Sequence, residues 1–273
     1  MLLSELLRAI ADRPAFRDVR AVVDDDIELT RAVHDSREAV PGTLFCCVVG
    51  AVHDGHDHAV AAVAAGASAL LCERPLGLGV AEIIVPSVRE AMGPVAAALA
   101  GYPADVLEVI GVTGTNGKTT VVQMLAAILP ETGVIGTLTG ARTTPEAPEL
   151  QALLAEMVAS GRGRVAMEVS SHALDLHRVD GTRFRVAVFT NLSQDHLDHH
   201  GDMARYFQAK ARLFQPELTE RAVVNLDDPH GRLLRDAALV PTVGYSLDDI
   251  TDLELRADGS SFRWRGTDIT LHL

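Results

Sequence analysis

The stretch VIGVTGTNGKTTVVQML, residues 109–125, decides the fold because it joins an apolar strand to a helix through a glycine-rich turn. Gly114 and Gly117 let backbone amides approach an anion closely, and the start of the helix adds partial positive charge. In such a turn Lys118 can reach nucleotide phosphates, and the Thr119 hydroxyl can ligate Mg²⁺. The predicted phosphate-binding loop consists of Gly114, Thr115, Asn116, Gly117, Lys118, Thr119 and Thr120.

This loop is a variant, because Val112 stands where the common phosphate-loop pattern has its first glycine. The order of strand, glycines, lysine, threonine and helix is otherwise complete, which argues against a plain solvated turn. A phosphate loop alone fits kinases, ATPases, GTPases and ligases equally. Other residues must therefore distinguish between these classes.

The chain on both sides of the loop, from Val106 onward, alternates apolar strands with helices. Strands are predicted at 106–113, 133–137, 164–170, 185–193, 221–228 and 241–246. Helices are predicted at 118–129, 148–160, 203–214 and 229–238. This alternation predicts a mostly parallel, doubly wound α/β domain over residues 106–273. From Asp252 onward, alternation broken at Asp258-Gly259 and Gly266 predicts a C-terminal antiparallel meander of three strands.

Residues 1–105 read as a separate, small N-terminal α/β domain. Helices are predicted near 2–12, 56–66 and 87–99, and Ser87 suits the N-cap of the last of them. The short apolar runs TLFCCVVG, SALLCE and AEIIVP suit strands that are covered on both faces. The segment GYPAD, residues 101–105, has the composition of a linker between the two domains.

Charge and composition exclude some classes of function. The net charge of −13 argues against a nucleic-acid-binding or membrane-surface protein. No apolar run reaches the roughly 20 residues that a membrane helix needs. The three cysteines lack paired spacing, which indicates buried thiols in a reducing cytoplasm.

The basic residues are strongly biased towards arginine. Of the 24 basic side chains 22 are arginine, and the two lysines are Lys118 and Lys210. Arginine is permanently charged, whereas the amine of lysine can lose its proton and react. The bias therefore points to a specific chemical role for both lysines.

Lys210 follows a cluster of imidazoles and carboxylates in TNLSQDHLDHHGDMARYFQAKARLF, residues 190–214. A zinc site made by His196, His199 and His200 is one interpretation, because imidazole-rich clusters suit Zn²⁺. A solvated turn and a part of a phosphate-handling site are the other two. The nearby phosphate loop favours Mg²⁺ with oxygen ligands.

Five stretches in chain order resemble the Mur ligase family, the ATP-dependent amide ligases of peptidoglycan synthesis. They are HDSREAVPGTLFCCVVGAVHDGHDH (34–58), GVTGTNGKTT (111–120), RTTPEAPELQ (142–151), MEVSSHALDLHRVDGTRF (167–184) and FTNLSQDHLDHHGDMARYFQAKARLF (189–214). The resemblance is strongest to members that add the third residue of the peptide. It implies ATP and Mg²⁺ as cofactors, with UDP-N-acetylmuramoyl-L-alanyl-D-glutamate and a diamino acid as substrates. The reaction implied is formation of an acyl phosphate followed by aminolysis.

The resemblance also assigns roles to individual residues. Lys118, Glu168, His196 and Lys210 correspond to the family's catalytic residues. Thr119 would ligate one Mg²⁺, and Glu168 and His196 a second one. Lys210 corresponds to a lysine that CO₂ converts to a carbamate, which gives Mg²⁺ an oxygen ligand. The corresponding substrate-binding residues are His34, Ser36, Ala51, Val52, His53, Arg142, Thr143, Thr144, Ser170 and Arg178.

The sequence departs from the family at Leu176, where some members carry a polar glutamine. Nothing in it resembles the family's C-terminal amino-acid-binding domain or the end of its central domain. We therefore expect a fragment that does not complete ligation alone. The part of the family that binds the diamino acid is not among the matching stretches. The resemblance to actinobacterial members favours meso-diaminopimelate over L-lysine.

Three alternatives remain open at this point. The first is a related ligase such as folylpolyglutamate synthetase, and the second is a non-catalytic nucleotide-binding fragment. The third is an ordinary phosphate-loop kinase or phosphatase. For the ligase itself we expect a cytoplasmic monomer without nucleic-acid partners or membrane insertion.

Overall fold

The computed structural model describes residues 1–16, 19–22, 26–50, 52–195 and 197–272. The N-terminal part is built on a five-stranded sheet in the order β1-β5-β4-β3-β2, in which only the β1–β5 pair is antiparallel. Its strands are β1 (Arg20–Val22), β2 (Arg31–Val33), β3 (Thr43–Cys46), β4 (Ala69–Cys72) and β5 (Ala81–Ile84). Its helices are α1 (Leu3–Ile10), α2 (Ala59–Ala64) and α3 (Val88–Leu99).

The alternation of side chains along β3 explains why this strand is apolar throughout. Leu44 and Cys46 enter the core that contains residues of α1 and α3, whereas Phe45 enters the core that contains residues of α2. Because successive side chains point to opposite faces, a strand covered on both sides needs no polar positions. The predicted N-cap at Ser87 is also present, since its hydroxyl accepts a hydrogen bond from the Glu90 amide at 3.3 Å.

The central part contains a six-stranded, fully parallel sheet in the order β11-β10-β9-β6-β8-β7. Its strands are β6 (Glu108–Thr113), β7 (Thr132–Ile135), β8 (Arg164–Glu168), β9 (Val186–Phe189), β10 (Ala222–Asn225) and β11 (Thr242–Tyr245). The helices are α4 (Pro103–Val106), α5 (Lys118–Ile128), α6 (Ala147–Ala159), α7 (Ser171–Asp175), α8 (Leu197–His200), α9 (Met203–Ala211) and α10 (Pro229–Asp236).

The strand order places a topological switch at β6. The chain leaves β6 towards β7 and β8 on one side, and then continues with β9 on the other. In open α/β sheets ligands bind beyond the carboxyl ends of the strands at such a switch. The turns that follow β6, β8 and β9 therefore meet at the edge where a ligand is expected.

The last three strands form a separate antiparallel sheet, as predicted: β12 (Ile250–Arg256), β13 (Gly259–Trp264) and β14 (Thr267–His272). The α/β fold class with a doubly wound central sheet is also confirmed. Within the described ranges, no helix has both the length and the apolar character needed to cross a bilayer.

Some local predictions are wrong. The linker predicted at 101–105 is partly helical, because Pro103 begins α4 at a position where its missing amide costs nothing. The domain boundary between residues 105 and 106 itself stays a prediction. The helix predicted at 203–214 ends as α-helix at Ala211 and continues as one 3₁₀ turn. Helices α7 and α8 were missed because five and four residues are too short to show helical periodicity.

The N-terminal and central parts meet along α3. The Arg89 guanidinium donates to the Glu146 carboxylate at 2.8 Å, and Ala147 of α6 belongs to the N-terminal core. Gly93 of α3 lies against the turn at Asp180, where a Cβ atom on Gly93 would come within 2.0 Å of the Asp180 carbonyl oxygen. The contact is therefore backbone against backbone, with no side chain that could move away.

Replacement of Gly93 by alanine is expected to destabilise the chain by about 1–3 kcal/mol, the usual cost of overpacking. A loss of stability would be informative, because a glycine-to-alanine change inside a helix normally raises the free energy of unfolding by about 0.5–1 kcal/mol. Urea unfolding would measure the difference. Gly163→Ala is the matched control, since a Cβ atom there meets nothing within 4 Å. Equal midpoints for the two variants would contradict the proposed close approach.

Candidate phosphate and metal site

The loop after β6 adopts a conformation that requires glycine at two positions. Gly114 and Gly117 have φ angles of +147° and +84°, in the region that other residues rarely adopt. A Cβ atom on Gly114 would also lie 1.9 Å from the Thr190 hydroxyl oxygen. The loop is thus pressed against the segment that follows β9, and α5 begins directly after it.

That segment holds the loop by hydrogen bonds. The Thr115 amide donates to the Asn191 carbonyl at 2.9 Å, and the Asn116 amide donates to the Asn191 side-chain oxygen at 3.0 Å. The Thr190 hydroxyl donates to the Asn116 carbonyl at 2.7 Å. These bonds fix the loop before any ligand arrives, which lowers the ordering cost of binding.

Both lysines of the chain converge on one backbone oxygen. Lys118 Nζ and Lys210 Nζ each donate to the Gly114 carbonyl at 2.9 Å, and Lys118 also donates to the Thr115 carbonyl at 2.9 Å. Lys210 is 1% exposed, and its Nζ lies 4.5 Å from the centre of the Tyr206 ring. Two residues 92 positions apart in the sequence thus share one acceptor in the loop.

This arrangement lowers the pKa of both amines. Burial, reinforced by the positive charge of Lys118, lowers the pKa of Lys210 to about 7 against the opposing effect of Asp195. Burial also lowers the pKa of Lys118, which the charges of Glu168 and Asp195 partly offset. An unperturbed lysine has a pKa of about 10.4. A large fraction of Lys210 is therefore neutral, and hence nucleophilic, near pH 7.

Glu168 ends β8 and is 2% exposed. Its carboxylate accepts from the Thr119 hydroxyl at 2.9 Å, from the Thr137 amide at 2.9 Å and from the Thr137 hydroxyl at 3.4 Å. A Cβ atom on Gly136 would lie 2.4 Å from the same carboxylate, so this neighbour must be small. A carboxylate and two hydroxyls in contact form an oxygen donor set, which fits Mg²⁺.

The predicted threonines and serine lie beside Glu168 in two different settings. The Thr143 hydroxyl lies 3.0 Å from the Thr137 hydroxyl, at the partly open edge of the site. Thr144 is buried, donates to the Glu168 carbonyl at 2.9 Å and accepts from the Ser170 amide at 3.1 Å. The Ser170 hydroxyl caps α7 by accepting from the Ala173 amide at 3.2 Å. Thr144 and Ser170 therefore brace the end of β8.

The two predicted arginines contact different carboxylates. Arg178 Nε lies 2.9 Å from Glu146, whose carboxylate also accepts from Arg89 of α3. Arg142 is half exposed and lies 3.7 Å from Glu149. Glu146 was not singled out from the sequence, although it lies inside the quoted stretch RTTPEAPELQ. It connects the N-terminal part to the predicted substrate residue Arg178.

The predicted uridine-side residues lie in the N-terminal part. A groove of about 380 Å³ is lined by His34, Asp35, Ser36, Arg37 and His58. Asp35 caps the turn by accepting from the Arg37 amide, and its contacts with Arg37 lower its pKa to about 2. Val52 and His53 are exposed. Ala51 and His196, both predicted site residues, lie outside the described residues.

Three residues at the phosphate loop were missed by sequence reasoning. Thr137 follows β7 at the same sheet edge as Glu168, so the rule about carboxyl ends of strands could have identified it. Tyr206 precedes Lys210 by four residues on α9, which is the spacing of helical neighbours. Asn191 left no comparable signal, because its contact with the loop is set by the pairing of β6 with β9.

Comparison with known proteins finds relatives for both parts of the chain. Residues 112–273 match the Mur ligase middle domain, and residues 29–110 match the domain described as Mur ligase family, catalytic domain. A curated relative from Streptomyces coelicolor is named UDP-N-acetylmuramoyl-L-alanyl-D-glutamate–2,6-diaminopimelate ligase. It is 44% identical over 255 residues, which cover 87% of this chain and 50% of the relative. A relative of the same name from Geobacter metallireducens is 40% identical over 267 residues, covering 90% and 52% of the two chains.

Solved structures show the same fold. A structure of a ligase with that name superposes with a TM-score of 0.79 at 30% identity, covering 92% of this chain and 57% of the other. MurF from Acinetobacter baumannii superposes with a TM-score of 0.70 at 23% identity, covering 99% and 60%. The chain spans about half the length of the curated relatives it matches. With a family domain matched over residues 112–273, the chain belongs to the Mur ligase family.

Proposed function

We propose that the chain provides the substrate-binding and ATP-binding parts of an amide ligase of peptidoglycan precursor synthesis. The ligase adds a diamino acid to UDP-N-acetylmuramoyl-L-alanyl-D-glutamate, with ATP and Mg²⁺ as cofactors. The observation that carries the proposal is the convergence of Lys118 and buried Lys210 on the Gly114 carbonyl, at the sheet edge that also carries Glu168. A plain nucleotide-binding loop needs the first lysine but has no use for the second.

Some residues around the loop bind the ATP phosphates, and others bind Mg²⁺. The amides at the start of α5 and the ammonium group of Lys118 neutralise ATP phosphates, once Lys118 turns outward from its carbonyl partners. Thr119 offers an oxygen ligand for one Mg²⁺. Glu168, with Thr137 beside it, offers oxygen ligands for a second Mg²⁺, of which His196 is proposed as a further ligand. Bound Mg²⁺ would supply charge neutralisation for the phosphate oxygens.

Lys210 contributes to this site as a carbamate. Its neutral amine attacks the carbon of CO₂, an N–C bond forms, and one proton leaves to solvent. The product carries a negative charge in place of a neutral amine, which suits a hard cation such as Mg²⁺. Low solvent exposure and a pKa of about 7 both favour this reaction over protonation.

The chemistry proceeds in two steps. The D-glutamate carboxylate attacks the γ-phosphorus of ATP, the bond to ADP breaks, and an acyl phosphate forms. The amine of the diamino acid then attacks the acyl carbon, loses a proton and expels inorganic phosphate. Positioning and charge neutralisation dominate such transfers, and this chain offers Arg142, Arg178 and Thr143 to hold the anionic substrate.

The remaining assignments rest on relatives and composition. Meso-diaminopimelate is the proposed diamino acid, because the relatives from Streptomyces coelicolor and Geobacter metallireducens carry 2,6-diaminopimelate in their names. A cytoplasmic location suits the three free, buried cysteines. A folate substrate is disfavoured. His34 and Ser36, which the resemblance assigns to the UDP-linked substrate, line a groove in a separate N-terminal sheet unit.

Isothermal titration calorimetry with UDP-N-acetylmuramoyl-L-alanyl-D-glutamate tests the proposal. We expect saturable binding that Ser36→Ala and Arg178→Ala weaken, with no binding of a folate substrate. In a longer form of the protein that completes ligation, release of ADP that depends on diaminopimelate, but not on L-lysine, would identify the amino acid. ATP binding without any binding of the UDP-linked substrate would contradict the proposed function.

A further inference from the structure

Helices α7 and α8 bring three metal-ligating side chains together beside the phosphate site. Asp175, His199 and His200 each offer one ligand atom, and these atoms lie within 4.8 Å of one another. We infer that Asp175, His199 and His200 form a second metal site, which takes a transition-metal cation of the Zn²⁺ class. It shares no residue with the oxygen donors around Glu168.

The ligand chemistry distinguishes the two sites. Two imidazoles and one carboxylate suit Zn²⁺, Co²⁺ or Ni²⁺, whereas Mg²⁺ prefers oxygen ligands. In a tetrahedral site with bonds of about 2.0–2.1 Å, ligand atoms lie about 3.4 Å apart. Small side-chain rotations would therefore bring the three atoms onto one cation. His199 Nε2 already lies 2.9 Å from Asp175 Oδ2, in a hydrogen bond that the cation would replace.

The surroundings hold the two imidazoles in place. His200 is buried, and its Nε2 lies 3.0 Å from the Ser171 hydroxyl oxygen. The His172 ring contacts both ligand rings, with centroid distances of 4.1 Å to His199 and 5.4 Å to His200. Outer partners of this kind orient metal ligands and tune their affinity.

A cavity of about 470 Å³ borders all three ligands and leaves room for water to complete the coordination. Two arginines line the same cavity, and their positive charges would repel a bound cation unless they are neutralised or screened. Arg212 is neutralised by Asp180, with hydrogen bonds of 2.6 and 2.7 Å. Arg205 is exposed, so water screens its charge. His177, which also lines the cavity, lies 2.8 Å from Asp180.

The test uses Co²⁺ alone as a probe of the intact chain, because its visible absorption reports nitrogen ligation and low coordination number. We expect one equivalent of Co²⁺ to give a visible band that excess Mg²⁺ does not remove. His199→Ala should abolish the band, and Asp175→Asn, at a half-exposed position, should abolish it without disturbing the fold.

His230→Ala is the matched control, because His230 forms a similar pair with Asp228 at 3.1 Å on α10. It should leave the band unchanged, and circular dichroism should show the same fold for every variant. The inference is overturned if His199→Ala and Asp175→Asn retain the band. It is equally overturned if Mg²⁺ competes the band away or Glu168→Gln removes it, since Co²⁺ would then occupy the phosphate site.

Discussion

Replacement of Lys210 by arginine should abolish the uptake of CO₂ and strongly slow the phosphorylation of the substrate carboxylate. Arginine remains protonated at every accessible pH and cannot form the carbamate. The rate of ADP release should fall on the order of a thousandfold, as when one preorganised electrostatic contact of a transition state is lost. Binding of the UDP-linked substrate should be largely unchanged.

The carbamate can be observed directly by ¹³C NMR after addition of labelled bicarbonate. Lys118→Arg is the matched control, because it removes the other lysine of the chain and leaves Lys210 in place. The control should keep the carbamate signal, and Lys210→Arg should lose it. A Lys210→Arg variant with normal turnover would show that the carbamate has no part in the reaction.

The pH dependence follows from the lowered pKa of Lys210. Burial disfavours the ammonium form, so the neutral amine predominates above a pH of about 7 and disappears below it. At constant CO₂ pressure the carbamate signal should therefore rise as the pH increases from 6 to 8. An exposed lysine, with a pKa of about 10.4, would show almost no carbamate over that range.

The second large effect is expected for Glu168→Gln. The change keeps the size of the side chain and its contacts with Thr119 and Thr137, but removes the negative charge that would hold Mg²⁺. Phosphoryl transfer should slow by about 10²–10³-fold, the range reported for loss of one such electrostatic contact. Binding of ATP should also lose most of its dependence on Mg²⁺, which calorimetry with and without a chelator would measure.

Gly136→Ala provides an independent test of the same carboxylate. Its Cβ atom would lie 2.4 Å from Glu168 Oε1 and displace the carboxylate without changing any charge. We therefore expect the Mg²⁺ dependence to weaken in this variant as well. Glu149→Gln, at a partly exposed position on α6, should behave like the unmodified chain. An unchanged Mg²⁺ response in Glu168→Gln would remove Glu168 from the proposed metal site.

The central fold and the phosphate loop could be predicted from sequence because their signals are local. Glycines at the strand-to-helix turn, and apolar strands alternating with helices, specify β6, the loop and α5 without long-range information. The role of Glu168 is less local, but its position at the end of β8 is enough to place it at the ligand-binding edge.

The environment of Lys210 could not be derived in this way. On an isolated α9 this lysine would be a solvated side chain with an ordinary pKa. Its burial depends on packing of α9 against the loop after β6, a contact between residues 96 positions apart. The Glu146 contacts with Arg89 and Arg178 likewise depend on how the two parts of the chain meet. Patterns in one segment carry no information about such pairings.

Under the proposed mechanism, the Gly114 carbonyl shared by the two lysines sets the order in which CO₂ and ATP bind. Burial lowers the pKa of Lys210, and the charge of Lys118 lowers it further while both amines share this carbonyl. Once ATP draws Lys118 away onto its phosphates, that influence weakens and the Lys210 amine regains affinity for a proton. In the proposed mechanism, Lys210 therefore takes up CO₂ most readily before ATP binds, so that the carbamate is in place when the nucleotide and Mg²⁺ arrive.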